Sequence, residues 1–321
     1  MLKKVLLAAI CVATFGANDV RAEYPERAIT FIVPFSVGGG SDRTARALVP
    51  YLEKYLGKGT KIAVVNKPGA GGSIAYSEMA RTNPDGYTIG MVNLPDAVTG
   101  PMLKPKLPYS VDSFKYIGGI NKEPTTISVR GDNKIKTFAD YVAAAKAKGG
   151  SLTAGVPSLG NVHSVGITKL SAKMGFKVNK IPLKGGGPTR NALLGGHVDS
   201  AGLSVSAAAK KAKKLTILVQ MAKERASTAP NVPTTYELGI KLTNYVIRTF
   251  AAPKGTPANV LSKLQTAFGK AIKDPAFLAA AKKQKIAVVY STGEELVATA
   301  AALDTELRAL WKTNPWLKVK K

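Results

Sequence analysis

Val33-Pro34-Phe35-Ser36-Val37-Gly38-Gly39-Gly40-Ser41-Asp42 reads as a strand end, a glycine turn and a helix start. Consecutive glycines let the chain bend through positive φ and leave no side chain between the backbone and a guest. Ser41 is placed to cap a helix in which Ala45, Leu48, Val49, Leu52 and Leu56 recur at helical spacing. The unpaired N–H groups of such a helix start face whatever lies over the turn, and they suit a small anion.

Upstream, Lys3 and Lys4 precede an apolar run from Val5 to Phe15, and Val20-Arg21-Ala22 offers small residues for a signal peptidase. Met1–Ala22 therefore reads as a removable secretory signal, with the mature chain starting at Glu23. The apolar run is too short to span a bilayer. The single cysteine, Cys11, falls inside the signal, and Ile10 before it is too bulky for lipoprotein cleavage. A soluble, cysteine-free periplasmic protein is expected, with a chain long enough to fold without disulfides.

The chain has 321 residues, a formal net charge of +26 and a pI near 10.0. That length suggests two domains. Export and the wide spread of the lysines argue for no nucleic acid partner, so the charge reads as solvated faces that help attract an anionic ligand. A polyanion-binding surface protein is the remote alternative.

Downstream, strands and helices alternate, which gives an α/β fold with a parallel sheet and glycine-rich turns at its strand ends. Strands are expected at Ile29–Val33, Lys61–Val65 and Thr88–Val92, then separately at Tyr116–Ile120 and Thr126–Val129. A second unit follows: strand Leu152–Ala154, helix Asn161–Met174, strand Asn179–Ile181, helix Pro188–Leu194 and strand Leu215–Gln220. The tail reads as strand Val246–Ala252, helices Ala258–Ile272 and Pro275–Lys283, strand Ile286–Val289 and helix Glu294–Trp311.

A GxSxG elbow, a Walker lysine loop and an HExxH motif are all missing, and there are two histidines in total. A Ser41–His163–Asp42 triad is poor geometry, because Ser41 and Asp42 are neighbours on one helix start. No enzyme, no cofactor and no metal site is expected, with a hydrolase as a remote alternative.

Several motifs in order carry a resemblance. They are Tyr24-Pro25, Ile32-Val33-Pro34-Phe35 with Gly38–Asp42, Asn66-Lys67-Pro68-Gly69-Ala70-Gly71-Gly72, and Pro84-Asp85-Gly86-Tyr87-Thr88. Leu107-Pro108-Tyr109, Leu183–Pro188, Gly195-Gly196-His197-Val198-Asp199 and Ala252–Pro257 complete the series. The mature chain resembles periplasmic receptors of the tripartite tricarboxylate transporter family, also called Bug receptors. The resemblance implies a two-domain periplasmic binding protein, a Venus flytrap with two crossing hinge strands. Domain one would be 23–124 plus 249–321, and domain two 125–248.

It further implies a carboxylate held against the first glycine loop and a facing loop of domain two. Phe35, Gly39, Gly40, Ser41 and Asp42 form the first candidate wall. Asp42 either fixes the loop through backbone N–H groups or accepts from a ligand hydroxyl or amine. Ala70 and Gly71 are a further candidate wall, unless Asn66–Gly72 merely shapes a loop, and Asn93 and Asp96 could add polar contacts. In domain two, a second carboxylate would dock on the N–H groups of Asn161, Val162 and His163. Val162 replaces the serine or threonine common in the family. His163 is either a buried helix-face histidine or a ligand contact. Gly186 and Thr189 belong to a third glycine turn, where Leu183 replaces a tyrosine common in the family. Ser204 either faces the cleft or caps the next helix.

The expected ligand is a small organic carboxylate, a di- or tricarboxylate with one acidic end on each helix start, or alternatively an aromatic or amino-acid carboxylate. The expected partners are one large and one small integral membrane permease subunit, and the receptor itself is expected to be a monomer.

Overall fold

A computed structural model describes residues 24–313 and Pro315. The expected signal, Met1–Ala22, with Cys11, lies outside the described residues. In chain order the elements are β1 (Ile29–Val33), α1 (Gly40–Leu56), β2 (Ile62–Asn66), α2 (Ser73–Met79), β3 (Thr88–Leu94) and α3 (Asp96–Leu103). Then come β4 (Phe114–Arg130), α4 (Phe138–Ala147), β5 (Thr153–Val156), α5 (Val162–Met174), β6 (Asn179–Pro182) and α6 (Gly186–Leu194). The chain continues through β7 (Ser200–Ser204), α7 (Val205–Ala209), β8 (Leu215–Gln220), β9 (Tyr245–Pro253), α8 (Ala258–Ala271), α9 (Pro275–Lys283) and α10 (Gly293–Thr313).

The strands form one mixed sheet in the order β2-β1-β3-β9-β4-β7-β5-β6, with β8 also on β4. The sheet is parallel at its two ends, where β1 pairs with β2 and β3, and β5 with β6 and β7. It is antiparallel in the middle, because β4 and β9 run across from one lobe to the other. Phe114–Pro124 of β4 pairs with β9, and Thr125–Arg130 pairs with β7 and β8. Two long strands shared by two sheet halves are the crossing connections of a two-domain binding protein. A first lobe is built on β1–β3 and a second on β5–β7.

Each lobe has its own apolar packing. Burial of Ile29, Phe31, Ile32 and Val33 explains why β1 is apolar at every position but Thr30. Leu48 and Leu52 of α1 pack in the same core as Phe250 and Phe268, whose rings meet at 5.2 Å. In the second lobe Tyr141, Leu170, Val156 and Val219 close a separate core. Among the described residues no helix is long and apolar enough to cross a membrane.

Two expectations differ from the structure, and one helix had no expectation at all. The two strands around residues 116–120 and 126–129 are one strand, β4, because register shifts at Ile117 and Ile120 let Gly118 and Gly119 stay paired with β9. Gly118 is required there, since a Cβ would lie 2.4 Å from the Phe268 ring. The strand expected at 286–289 is not formed. The segment follows the bulged part of β4 through Val289 N–H to Ile120 O at 3.0 Å and an isolated bridge at Ser291. Helix α3 gave no sequence signal, since Gly100 and Pro101 interrupt an eight-residue element that its contacts with neighbouring helices sustain.

Candidate functional site

The C-terminal ends of β1 and β3 and the start of α1 face the starts of α5 and α6 and the β7–α7 junction. Between them lies a cavity lined by Phe35, Gly39, Gly40, Ser41, Asn93 and Asp96 from the first lobe. Pro157, Val162, His163, Gly186, Leu203, Ser204 and Ala207 line it from the second, and Val246 and Arg248 of β9 form its floor. Its interior offers about 40 Å³ to the centre of a water molecule, room for several waters. The lobes already touch around it. Thr99 Oγ1 donates to Gly160 O at 2.6 Å, Ser36 Oγ to Lys184 O at 3.2 Å, and Val162 N–H to Asp96 Oδ1 at 2.8 Å.

Helix α1 begins at Gly40, with Gly39 in extended conformation as its cap and no side-chain capping bond. Gly39 N–H is used internally, donating to Ser36 O at 3.2 Å. Gly40 and Ser41 N–H have no partner among the described residues and border the cavity. Ser41 is therefore not the cap; its hydroxyl accepts instead from Asn93 Nδ2 at 2.9 Å. Asp42 Oδ2 accepts from Gly38 N–H and its Oδ1 from Arg46 Nε, both at 2.8 Å. Those bonds turn the carboxylate away from the cavity and fix the loop.

Arg248 sits in the middle strand β9, opposite Asn93 on β3 and Asn121 on β4. It is 4% exposed, and its Nη1 donates to Glu123 Oε1 at 3.0 Å and to Asn121 Oδ1 at 3.3 Å. Glu123 is held in turn by Ser206 Oγ at 2.7 Å and Asn121 Nδ2 at 2.8 Å. Arg248 Nε is buried without a partner, and a Cβ on Gly40 would stand 2.4 Å from Nη2. The free Nε/Nη2 edge, the face a guanidinium offers to a carboxylate, thus lies against the start of α1. Fixed N–H groups, a free guanidinium edge and a cavity closed by a second lobe make a built place for a small anion.

The tripartite tricarboxylate transporter family receptor profile, TctC, matches residues 44–308. The chain belongs to this receptor family. It is 32% identical over 302 residues to a UPF0065 protein of Cupriavidus necator, covering 92% of this chain and 89% of that one. It is 30% identical to protein BugT of Bordetella pertussis, covering 92% of each. Among solved structures it is similar to the periplasmic binding protein BugD, with TM-score 0.83, 29% identity and coverage of 91% of this chain and 98% of that one. It is similar also to MatC of Rhodopseudomonas palustris, solved with bound malate, with TM-score 0.80, 25% identity and coverage of 88% and 98%. The TctC receptors are solute-binding proteins of the periplasmic class, so this chain is a solute-binding receptor and not an enzyme.

In this TctC receptor the expected residues Phe35, Gly39, Gly40, Ser41, Asn93, Val162, His163, Gly186 and Ser204 come together at the cavity. Asp42, Ala70, Gly71, Asn161 and Thr189 do not line it. Ala70 borders an outer groove beside Ser73 and Ile74. Gly71 approaches the other lobe, where a Cβ would meet Ser158 Oγ at 2.8 Å. Asn161 Oδ1 caps α5 by accepting from Ser164 N–H at 3.1 Å, and Thr189 Oγ1 turns back to Gly185 O at 2.8 Å. At the dock expected at the start of α5, Asp96 takes the Val162 N–H and Asn161 N–H donates to Ser158 O at 3.4 Å, while His163 N–H has no partner among the described residues. Sequence reasoning missed Arg248, although one cation inside the apolar strand Val246–Ala252 is a readable signal. Among the described residues no cluster of His, Cys, Asp or Glu could hold a metal.

Two titrating groups face the cavity with opposite slopes. Burial pushes the Asp96 carboxyl up to about 7, against the Val162 N–H and Arg248, which favour its charged form. Burial, aided by Arg248, lowers His163 to about 3, so the imidazole is neutral. Between about pH 4 and 7 folded Asp96 holds a proton that unfolded Asp96 has lost, so its contribution falls as pH rises. His163 does the reverse between about pH 3 and 6.5, and the two offset each other. Asp96→Asn is expected to remove the falling term, so that variant stability minus wild-type stability grows with pH up to about 7 and is then constant. Urea denaturation at stepped pH measures it; a difference independent of pH would place Asp96 in an ordinary environment.

Proposed function

We propose that this protein is an exported receptor that closes two lobes, 23–124 plus 249–321 and 125–248, on a small organic carboxylate, a di- or tricarboxylate. The observation that carries the reading is the free Arg248 edge beside the unpaired Gly40 and Ser41 N–H groups inside an interlobe cavity. Charge-assisted hydrogen bonds to a carboxylate are about twice as strong as neutral ones, so this cradle favours an acid over a sugar. The malate bound in MatC is in keeping with that. The basic surface would aid encounter with an anion. The loaded receptor would deliver to a permease of one large and one small integral membrane subunit, driven by an ion gradient. Asp96 on the wall favours an amino-acid carboxylate as second reading, since its carboxylate could accept from an ammonium.

Melting shifts across aliphatic, aromatic and amino-acid carboxylates test the class. A bound acid at about a hundred times its Kd should raise Tm by roughly 5–10 °C. Solution scattering should show a more compact particle with that acid. A shift with a neutral sugar and with none of the acids would overturn the assignment.

A further inference from the structure

We infer that Asn93 and His163 are specificity-determining residues that read a hydroxyl group on the carbon next to the ligand carboxylate, so that the receptor prefers a 2-hydroxy acid to the same acid without the hydroxyl. The inference rests on the carboxylate reading above and deepens it by naming the group beside the acid and the residues that recognise it.

Both residues line the interlobe cavity, Asn93 from the first lobe and His163 from the second. Asn93 is 2% and His163 7% exposed. Asn93 Nδ2 is spent on Ser41 Oγ at 2.9 Å, which leaves Oδ1, an atom that only accepts, buried without a partner. His163 Nδ1 is also buried without a partner, and the His163 backbone N–H has none among the described residues. Burial, aided by Arg248, keeps the imidazole neutral, so one ring nitrogen remains an acceptor. A carboxylate can satisfy Arg248 and the Gly40 and Ser41 N–H groups, but it has no hydrogen to give Asn93 Oδ1. The donor must belong to another group of the ligand. Its place follows from the fold, because Asn93 on β3 stands opposite Arg248 on β9 and its amide holds Ser41 at the start of α1. Paired residues of an antiparallel ladder are about 5 Å apart, which puts the free amide oxygen within reach of the carbon next to a carboxylate seated on Arg248. A hydroxyl there donates to Asn93 and accepts from His163, the two kinds of bond that these residues leave open. An ammonium is the competing donor. It cannot accept, and it sets a cation near Arg248, whose charge already lowers His163.

Calorimetry on matched series tests this: succinate, butyrate and 3-phenylpropionate, each beside its 2-hydroxy and 2-amino forms. In a series that binds wild type, the hydroxy acid should bind at least about tenfold tighter than the plain acid, because the plain acid leaves buried acceptors unpaired. Asn93→Leu and His163→Leu should each cut that ratio below about threefold, while His163→Gln, which keeps an acceptor, should hold most of it. The ratio is the readout, because general damage to the cavity weakens both acids alike. Melting curves without ligand establish that each variant is folded, and the wild-type ratio decides whatever the variants do. A wild-type ratio below about tenfold, an amino form bound tightest, a ratio kept in either folded leucine variant, or binding confined to acids of the wider screen that carry no 2-hydroxyl overturns the inference alone. If no acid in these series or in the wider screen binds wild type, the carboxylate reading falls and this inference with it.

Discussion

Gly40→Val is expected to weaken carboxylate binding on the order of a hundredfold, about 3 kcal/mol, while the protein still folds. Gly40 has no positive-φ requirement, so a side chain is not strained by the backbone itself. Its Cβ would stand 2.4 Å from Arg248 Nη2, and the guanidinium cannot easily retreat because Nη1 is tied to Glu123 and Asn121. The valine must therefore push the free edge out of line and fill the space above the Gly40 and Ser41 N–H groups. The stability cost should be that of overpacking, about 1–3 kcal/mol. Calorimetry on the best acid from the melting screen, paired with urea denaturation, separates the two effects. Affinity within about twofold of wild type would place the ligand away from α1.

Glu123→Ala is expected to cost about 3–5 kcal/mol of stability, the largest single loss foreseen. Glu123 is 1% exposed and is the charge partner of a 4% exposed arginine in the strand that crosses between the lobes. Removing it leaves Arg248 buried with a full positive charge and strips Ser206 and Asn121 of their shared acceptor. Because the lost charge is replaceable by an anion, a saturating carboxylate should stabilise this variant more than it stabilises wild type. Chemical denaturation with and without the acid measures both quantities. An effect below about 1 kcal/mol would mean that water reaches Arg248 and screens it.

Much of this receptor was legible along the chain because the signals are local. The apolar run of β1, the glycine turn after it and the period of α1 each follow from neighbouring residues, and β1, β8 and α9 lie where the pattern put them. The glycine loops, read together with the family resemblance, likewise pointed to Phe35, Gly39, Gly40, Ser41, Val162, His163 and Gly186 as one cleft, and the structure brings these residues to one cavity. Family motifs added the expectation of two lobes. What the tertiary structure alone decided concerns partners far apart in sequence. Pro124 and two glycines look like breaks, yet β4 runs through them because β9 and then β7 and β8 supply its hydrogen bonds. Asn161, Thr189 and Asp42 were plausible ligand donors by residue type, but each is spent on a cap, a helix turn or a loop. Arg248 became visible only when three strands set it between Asn93 and Asn121, over Glu123 and under Gly40. Local sequence sets which conformations are cheap, whereas the pairing of buried charges and donors depends on which distant groups folding brings within about 3 Å of one another.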